Sequence, residues 1–475
     1  MYFFKGRCFT IDELKMDRVS LSELSYEVAP KIIVELPGPN SKKLLDKQSK
    51  LEGGAVSYPK GAPVAFAQAY GATIQDVDGN VFIDFFGGAG VLNVGHCNPD
   101  VVEAVKRQVG TLTHSLDFPT QPRIDLVEQL ILVAPDGLKN SSKIIFGGPT
   151  GSDAVESSIK LAKLNTRRQN LIAFEGSYHG MTTGALAACS GKKFKENYLP
   201  LSPEVHFTPY AYCYRCVFGM EYPNCGIKCA DYLEHILTDP HSGVVDPAAI
   251  IIEPVQGEGG SIAPPLEFIH RVRQLSNDFS IPLIADEIQA GLGRTGKMWS
   301  CEHSGITPDI MTISKGIGGG LPLSAIMYNK KLDTWQSGAH IGTFRGHVLA
   351  MAAGLAAMKF MKEYDLPKHS ADLGAIMLKR MKELEERRFV GEVRGSGMML
   401  GIEFVKNKQT KEPWPEMAKD VRFECYRHGV LVELGGHYNN VIRFLPPLVL
   451  TRELADKGLD VVFEVVKSLE NRSIK

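Results

Sequence analysis

The chain has 475 residues, of which 44% are hydrophobic and 23% are charged, and its formal net charge is -1 at pH 7. This composition is typical of a globular protein with two or three domains, and the balanced charge argues against a nucleic-acid partner. No apolar run approaches the length of a membrane span, and the scattered cysteines favour reduced thiols, so we expect a cytoplasmic protein.

The amino-terminal part predicts an arm, a short helix and a hairpin. Residues 1–50 are interpreted as an arm followed by a short helix, because two prolines interrupt any longer one. Residues 72–85 predict a β-hairpin, since two β-rich runs flank an Asp-Gly dipeptide. A glycine-bearing loop follows, and then a helix with Asn98 as its cap and Pro99 at its first position.

Short apolar runs alternate with helical segments between residues 143 and 347. Five runs predict buried strands: KIIFGG, NLIAFEG, AAIIIEPV, IPLIADE and DIMTISK. This alternation predicts an α/β domain with a mainly parallel sheet. A long helix and strand-like runs then indicate a smaller α+β domain. We expect an arm and part of the small domain at 1–74, a large α/β domain at 75–346, and the remaining small domain at 347–475.

Two ionisable residues stand at the ends of apolar runs that follow each other in the chain. Asp286 ends LIAD, and Lys315 follows DIMTIS 29 residues later. Parallel sheets bind their ligands beyond the carboxyl ends of the strands, so both side chains are expected at that edge. A lysine that bonds an aldehyde and a carboxylate that keeps a pyridine nitrogen protonated are what pyridoxal phosphate requires. The pair therefore predicts a pyridoxal-phosphate site.

The peptides around this pair are more specific than the pair itself. The peptide EIQAGLGRTG begins directly after Asp286, and the peptide SKGIGGGLPLSA contains Lys315. With these peptides, residues 281–323 resemble the signature of class III aminotransferases, which are pyridoxal-phosphate enzymes of fold type I. The resemblance implies a fold type I transferase in which Lys315 and Asp286 are the catalytic residues.

Further peptides supply the rest of a cofactor site. FGGPTGSDAVESS predicts a strand, a glycine-rich turn and a helix whose first amides, at Gly151 and Ser152, suit a phosphate. Tyr178, in EGSYHGMTTGA, offers a planar ring that can stack on a pyridine. The resemblance implies that His179 lies near this ring and that Gln289 bonds the ring hydroxyl.

The resemblance also implies residues for the substrates and for a second subunit. Glu258, in EPVQGEGG, and Arg443, in VIRFLPPL, match a switch in which the glutamate swings away so that the arginine can hold the carboxylate of a 2-oxo acid. GTFRGH resembles a segment that reaches the phosphate of the neighbouring subunit, which indicates Thr343. The expected partners are therefore a small amino donor, a 2-oxo acid, and a second copy in a homodimer or a dimer of dimers.

Longer peptides narrow the family. FGGPTGSDAVE, YHGMTTGAL, PYAYCYRC and KLDTWQSGAHIGTFRG resemble diaminobutyrate:2-oxoglutarate aminotransferases, and the likeness covers most of residues 70–455. Met181 departs from 4-aminobutyrate enzymes, which typically have arginine there, and His347 departs from the asparagine more common after TFRG. Ornithine, lysine or 4-aminobutyrate as donor stays open. An amino-acid racemase or epimerase of the same fold also stays open, because it needs the same kind of carbanion.

Two other patterns suggest different ligands. GLGRTG, at residues 291–296, matches the G-x-G-x-x-G of dinucleotide folds, but no helical pattern follows it, which disfavours a nicotinamide enzyme. Cys213, Cys216, Cys225 and Cys229 are spaced C-x2-C-x8-C-x3-C. This spacing leaves a structural zinc open, but free thiols in a surface loop are the default, so we expect no metal. A regulator that senses pyridoxal phosphate would need a DNA-binding module, and no basic arm or helix-turn-helix pattern is present.

Overall fold

The computed structural model describes residues 2–4, 7–9 and 19–473. Its strands, in chain order, are β1 (Tyr2–Phe4), β2 (Arg7–Phe9), β3 (Phe66–Tyr70), β4 (Thr73–Asp76), β5 (Val81–Asp84), β6 (Ser142–Gly148), β7 (Leu171–Phe174), β8 (Val205–Thr208), β9 (Ala249–Ile252), β10 (Leu283–Asp286), β11 (Ile310–Ile313), β12 (Ser324–Asn329), β13 (Val390–Ser396), β14 (Met399–Asn407), β15 (Glu412–Pro413), β16 (Val430–Leu431), β17 (Glu433–Gly435) and β18 (Val441–Phe444).

The α-helices are α1 (Pro39–Leu51), α2 (Tyr58–Gly61), α3 (Gly87–Gly90), α4 (Pro99–Val109), α5 (Gln121–Leu132), α6 (Gly151–Thr166), α7 (Thr183–Ala188), α8 (Lys192–Lys195), α9 (Lys228–Thr238), α10 (Leu266–Asp278), α11 (Val348–Glu363), α12 (Leu366–Met381), α13 (Pro415–Arg427) and α14 (Arg452–Ser473). Short 3-10 segments lie at Leu21–Glu23, Cys213–Arg215, Ser300–His303, Lys315–Gly318, Lys330–Leu332 and Lys382–Glu386. None of the helices in the described ranges is long and apolar enough to cross a membrane.

The amino-terminal predictions are largely local and can be compared element by element. Part of the predicted arm, residues 10–18, lies outside the described residues, and the short helix expected after it is α1. The hairpin is confirmed: β4 and β5 pair antiparallel, and Gly79 has a φ of 88° at the turn, where glycine has no steric penalty. The side chain of Asn98 accepts hydrogen bonds from the amides of Asp100 and Val101 at 3.1 and 3.4 Å, which confirms the predicted cap of α4.

A seven-stranded sheet in the order β6-β12-β11-β10-β9-β7-β8 carries the candidate site. Among these seven strands only β12 runs antiparallel to its neighbours, so the predicted α/β class and mainly parallel sheet are confirmed. All residues of β9, β10 and β11 are buried, because continuous apolar strands are covered on both faces. The sequence interpretation missed β8 and β12.

Helix α6 covers one face of this sheet. Val155, Ile159 and Ala162 are buried in one cluster with apolar residues of β9, β10 and β11, which confirms the predicted inner face of the helix. Because the helix begins three residues after β6 ends, its amino terminus lies at the same edge as the carboxyl ends of the parallel strands. The topology therefore directs free backbone amides towards that edge.

The remaining sheets involve both ends of the chain. Strands β13, β14, β18 and β17 form an antiparallel sheet, with β15 paired to β14. Strand β16 pairs in parallel with β5, so a carboxyl-terminal strand extends the sheet that β3, β4 and β5 begin. The domain boundaries at 74 and 346 stay a prediction.

The GLGRTG peptide is a structural joint between the strands and the carboxyl-terminal sheet. Arg294 is fully buried; its Nη2 donates to Asn93 Oδ1 at 2.9 Å, and its Nη1 donates to the carbonyls of Met398 and Pro446. Burial lowers the pKa of this guanidinium to about 9. Between residues 291 and 309 the structure has only a 3-10 segment, so the helix that a dinucleotide fingerprint requires does not follow.

Candidate active site

Asp286 and Lys315 lie at the carboxyl ends of two adjacent parallel strands. Asp286 is the last residue of β10 and pairs in register with Thr312 of β11, three residues before Lys315. Lys315 has a φ of 52°, a left-handed conformation that is uncommon for a side chain and is frequent at functional sites. Lys315 is also the first residue of the 3-10 segment Lys315–Gly318, in which the chain turns after β11.

The Asp286 carboxylate is buried and accepts three hydrogen bonds. His179 Nδ1 lies 2.6 Å from its Oδ2, while Thr312 Oγ1 and the amide of Ile288 donate to its Oδ1 at 3.0 and 3.1 Å. Burial lowers the pKa of His179, but the hydrogen bond and charge of Asp286 outweigh it, so the net pKa is raised. The three hydrogen bonds fix the direction of the carboxylate.

Glu253 is a site residue that the sequence interpretation did not select. It follows β9 at the same sheet edge and is buried, and its carboxylate accepts hydrogen bonds from the amides of Tyr178 at 3.0 Å and Gly257 at 2.9 Å. Burial raises its pKa to about 7. It therefore holds together the two loops that carry Tyr178 and Glu258. An acid directly after a buried strand was the available signal.

Lys315 lies in a field of mixed charge. Burial and then the positive charge of Arg443 lower its pKa to about 8, against the opposing effect of Asp286, Glu253 and Glu258. Its Nζ makes no hydrogen bond or ion pair with any residue that the structure describes. An amine with a lowered pKa can act as a nucleophile or a base near neutral pH.

The amino terminus of α6 forms a small polar cradle with the loop after β7. Ser152 Oγ accepts a hydrogen bond from the amide of Met181 at 3.0 Å. Gly180 permits this approach, because a Cβ there would lie 2.0 Å from Ser152 Oγ. The amides of Gly151 and Ser152 donate to no acceptor within residues 19–473. Both predicted phosphate residues thus present open donors at a helix amino terminus.

Tyr178 and Gln289 lie on either side of the charged groups. The ring of Tyr178 packs edge-on against Phe194, with the centroids 5.3 Å apart, and burial raises its pKa to about 12. Gln289 Nε2 donates to the carbonyl of Ala89 at 3.1 Å, and its Oε1 accepts from Arg443 Nη1 at 3.3 Å. Gln289 is therefore connected directly to the predicted substrate arginine.

Glu258 and Arg443, 185 residues apart in sequence, form an ion pair. Arg443 Nη2 lies 2.6 Å from Glu258 Oε2. The arginine side chain is 3% exposed, whereas the glutamate side chain is 29% exposed. Arg443 Nε is buried and has no partner among the described residues. The charge-assisted hydrogen bond between Arg443 and Glu258 lies near Lys315, and the partly exposed glutamate can leave it.

Thr343 is the one predicted site residue that is exposed in this chain. Its loop is anchored to α6: His340 Nε2 lies 2.6 Å from Ser157 Oγ, and Lys160 Nζ donates to the carbonyl of Ala339 at 2.8 Å. Phe344, beside Thr343, is also exposed. The loop is thus held at its base and presents Thr343 outwards.

The four clustered cysteines line a narrow cleft beside α9. Cys213, Cys216, Cys225 and Cys229 are free thiols, and burial raises the pKa of Cys213 to about 11 and of Cys229 to about 12. Within the described part of the chain, no group of three or more histidine, cysteine or acidic side chains is arranged to hold a metal ion.

Comparison with known proteins places this site in a family. The family model "Aminotransferase class-III" matches residues 56–466. A diaminobutyrate--2-oxoglutarate aminotransferase of Rhizobium meliloti is 41% identical over 416 residues, 86% of this chain and 88% of that protein. An alanine/serine racemase of Pyrococcus horikoshii is 37% identical over 449 residues, 92% of this chain and 93% of that protein. A solved transaminase structure from the marine bacterium Virgibacillus superposes with a TM-score of 0.82 at 25% identity, covering 90% of this chain and 99% of that one. The chain belongs to the class III aminotransferases.

Proposed function

We propose that the chain is a pyridoxal-phosphate-dependent aminotransferase that moves the terminal amino group of L-2,4-diaminobutyrate to 2-oxoglutarate. The observation that carries this proposal is Lys315, an amine with a lowered pKa at the same sheet edge as the buried Asp286 carboxylate. Similarity to the Rhizobium meliloti enzyme and to other proteins named for this reaction supports the choice of substrates.

The residues at the sheet edge fit pyridoxal phosphate. Gly151 and Ser152 offer unpaired amides for the phosphate, Tyr178 offers a ring for stacking, and Asp286 offers a carboxylate for a protonated ring nitrogen. Lys315 would bind the aldehyde through Nζ. When bound, the cofactor supplies an electron-accepting ring that stabilises the charge left when a substrate carbon loses its proton.

Lys315 Nζ carries the proton in this scheme. Only the neutral amine can accept a proton from the substrate carbon, and a pKa of about 8 leaves a useful neutral fraction near neutral pH. The resulting ammonium can return the proton to a neighbouring carbon. Asp286, held by His179, Thr312 and the Ile288 amide, keeps its charge and direction during both transfers.

Glu258 and Arg443 allow one site to accept two different substrates. While the pair is closed, the arginine charge is neutralised, which suits a donor whose carboxylate lies away from the reacting amine. When Glu258 turns to solvent, the guanidinium of Arg443 can hold the carboxylate of 2-oxoglutarate with two parallel hydrogen bonds. Its partial exposure makes this movement inexpensive for the glutamate.

A donor panel tests the proposal. The purified protein with added cofactor is incubated with 2-oxoglutarate and either diaminobutyrate, ornithine, lysine or 4-aminobutyrate, and glutamate is measured. We expect the highest kcat/KM with diaminobutyrate. If 4-aminobutyrate were an equal or better donor, the assignment of diaminobutyrate would be wrong.

A second candidate is an amino-acid racemase, which the similarity to two archaeal racemases favours. A racemase removes the proton from the α-carbon of an amino acid and returns it to the opposite face of that carbon, whereas transfer of a terminal amine removes a proton from the terminal carbon. Incubation with L-alanine or L-leucine and no 2-oxo acid separates the two functions. Loss of optical rotation without any keto acid or glutamate would establish racemisation.

We also propose that the active form is a homodimer in which Thr343 completes the phosphate site of the partner subunit. The exposed Thr343 and Phe344 beside an anchored loop support it. Light scattering gives the mass in solution, and Thr343→Ala should weaken cofactor affinity without changing that mass. If Thr343→Ala left the cofactor affinity unchanged, Thr343 would not complete the phosphate site.

A further inference from the structure

A cavity lies beside the candidate active site. It has a volume of 460 Å³ and lies between α1, α2 and β3 on one side and α13 and β17 on the other. Most of its wall is apolar, with contributions from Tyr58, Phe66 and Phe86, but one arginine and two glutamates also line it: Arg422, Glu433 and, beside α1, Glu52. An apolar pocket with a few convergent charged groups is the usual form of a small-molecule site.

Arg422 presents to this cavity a guanidinium without an ion-pair partner in the described part of the chain. Its Nε is buried and has no hydrogen-bond partner, and it forms no ion pair with any residue in the described ranges. The guanidinium lies directly against Gly61, where a Cβ would be 2.3 Å from Cζ. Because Gly61 has no side chain, the guanidinium can lie in the wall of the cavity. Burial lowers the pKa of Arg422, and the charge of Glu433 opposes this effect.

Glu433 connects the cavity to the active site. It is the register partner of Arg443 in the pair β17 and β18. Its carboxylate accepts a hydrogen bond from the neighbouring amide of Leu434 at 2.9 Å and makes no ion pair with the described residues. Glu433 is thus next to the arginine of the active site and lines the same cavity as Arg422, and the charges of both arginines act on it.

Tyr58 lies at the boundary between these two spaces. Its ring packs against Phe86 with the centroids 5.4 Å apart, and both residues line the cavity. Burial and the nearby carboxylates of Glu433 and Glu258 raise the pKa of its hydroxyl. A molecule that extends from the reacting centre past Tyr58 would therefore meet Glu433 and then Arg422.

We propose that this cavity binds the unreacted α-amino-acid end of the donor, with Arg422 holding its carboxylate and Glu433 holding its ammonium. The inference rests on the proposed reaction at a terminal amine, which leaves the other end of the donor as a zwitterion. A carboxylate and an ammonium need partners of opposite charge in a partly desolvated site, and charge-assisted hydrogen bonds supply them. A guanidinium and a carboxylate that line one cavity and form no ion pair with each other are the complement of this group.

The proposal explains how diaminobutyrate can be distinguished from 4-aminobutyrate. Both molecules carry the terminal amine and the carboxylate, but only diaminobutyrate carries the α-ammonium. Glu433 is therefore the specificity-determining residue, whereas Arg422 serves both donors. A site built to bond a charged group rejects the analogue that lacks it more strongly than a pocket that only measures length.

Three variants of the holoenzyme test the assignment: Glu433→Gln, Arg422→Met and Glu416→Gln. Glu416→Gln is the matched control, because Glu416 is an exposed glutamate on α13 and the substitution is the same as at Glu433. KM and kcat are measured for diaminobutyrate, 4-aminobutyrate and 2-oxoglutarate. Glu433→Gln should raise KM for diaminobutyrate by about 10–100-fold and leave KM for 4-aminobutyrate nearly unchanged. Arg422→Met should raise KM for both donors, and Glu416→Gln should change neither.

Equal changes of KM for the two donors in Glu433→Gln, or no change in either, would overturn the inference while the aminotransferase function stood. A wild-type protein with no activity on diaminobutyrate would overturn both. Because Glu433→Gln could disturb Arg443, Glu433→Asp provides a second measurement. It keeps the charge and should restore most of the preference for diaminobutyrate, and failure to do so despite native circular dichroism would also count against the inference.

Discussion

Two ion pairs in this site have the same length and different surroundings. The distances from His179 Nδ1 to Asp286 Oδ2 and from Arg443 Nη2 to Glu258 Oε2 are both 2.6 Å. In the first pair the side chains are 0% and 4% exposed, and in the second the glutamate is 29% exposed. Asp286 also accepts two other hydrogen bonds, whereas the carboxylate of Glu258 bonds only Arg443 among the described residues.

The difference indicates which pair is fixed and which can open. Removing Asp286 from His179 would leave two buried polar groups unsatisfied, a penalty that holds the pair closed. Glu258 can exchange its arginine for water, because its carboxylate already has access to solvent. One pair therefore suits a permanent electrostatic role, and the other suits a reversible exchange between substrates.

The largest effect is expected from Asp286→Asn. The amide retains the shape of the side chain but cannot carry the negative charge opposite a protonated ring nitrogen, so kcat should fall by about 10³-fold or more with every donor. Stopped-flow measurement of the donor half-reaction gives this rate directly. Cofactor binding should persist, because the phosphate donors on α6 are unchanged. A variant with wild-type kcat would show that the buried pair is only structural.

The next largest effect is expected from Arg443→Met. Loss of the guanidinium should raise KM for 2-oxoglutarate by about 10–100-fold, since one charge-assisted bidentate contact disappears. Glu258→Gln is the companion variant: it keeps the arginine, so 2-oxoglutarate should still bind. Steady-state kinetics with varied 2-oxoglutarate checks both. If both variants raised this KM equally, Glu258 would be a fixed support of Arg443, as His179 is of Asp286.

Charges from both pairs act on Lys315, so we expect them to affect the reactivity of its amine. The neutral amine is the reactive form, and the pKa is about 8, so reaction of the cofactor-free protein with an aldehyde should rise with pH and level off above about 8 rather than near the ordinary lysine pKa of about 10.4. Borohydride trapping and peptide mapping measure the rate at this residue. Arg443→Met should move the midpoint upwards, because a positive neighbour is removed. A midpoint above 10 in the wild-type protein would contradict this.

The smallest effect is expected from Thr312→Val. It removes one of three hydrogen bonds to Asp286 and should lower the free energy of unfolding by about 1 kcal/mol and kcat by several-fold. Thr312→Ser retains the hydroxyl and is the matched control. Urea denaturation and kcat together test it. A loss in Thr312→Val as large as that in Asp286→Asn would mean that the pair with His179 does not hold the carboxylate by itself.

Several features followed from local sequence patterns. The strands that end at Asp286 and just before Lys315 are continuous apolar runs, so their ends could be predicted from hydrophobicity alone. The cap at Asn98 and the turn at Gly79 depend only on neighbouring residues and were also predictable. The site roles of Gly151 and Thr343 remain predictions.

Other features required the packed chain. Glu253 was not selected, because its function depends on amides from Tyr178 and Gly257 that meet it only after β7 and β9 pair. Strand β12 was also missed, and its antiparallel pairing with β11 and β6 is visible only in the folded chain. The buried contacts of Arg294, which turn a nucleotide-like peptide into a joint, involve residues more than 100 positions away.

The sequence by itself determined the α/β alternation, the strand ends that carry Asp286 and Lys315, and the resemblance to class III aminotransferases. These depend on backbone geometry and apolar periodicity, which act over a few residues. The resemblance indicated Glu258 and Arg443 as partners, and the tertiary structure decided their contact, the support of Asp286 by His179, and the lowered pKa of Lys315. Burial and charge are set by whichever residues the fold brings together, and in this chain those residues lie up to 185 positions apart.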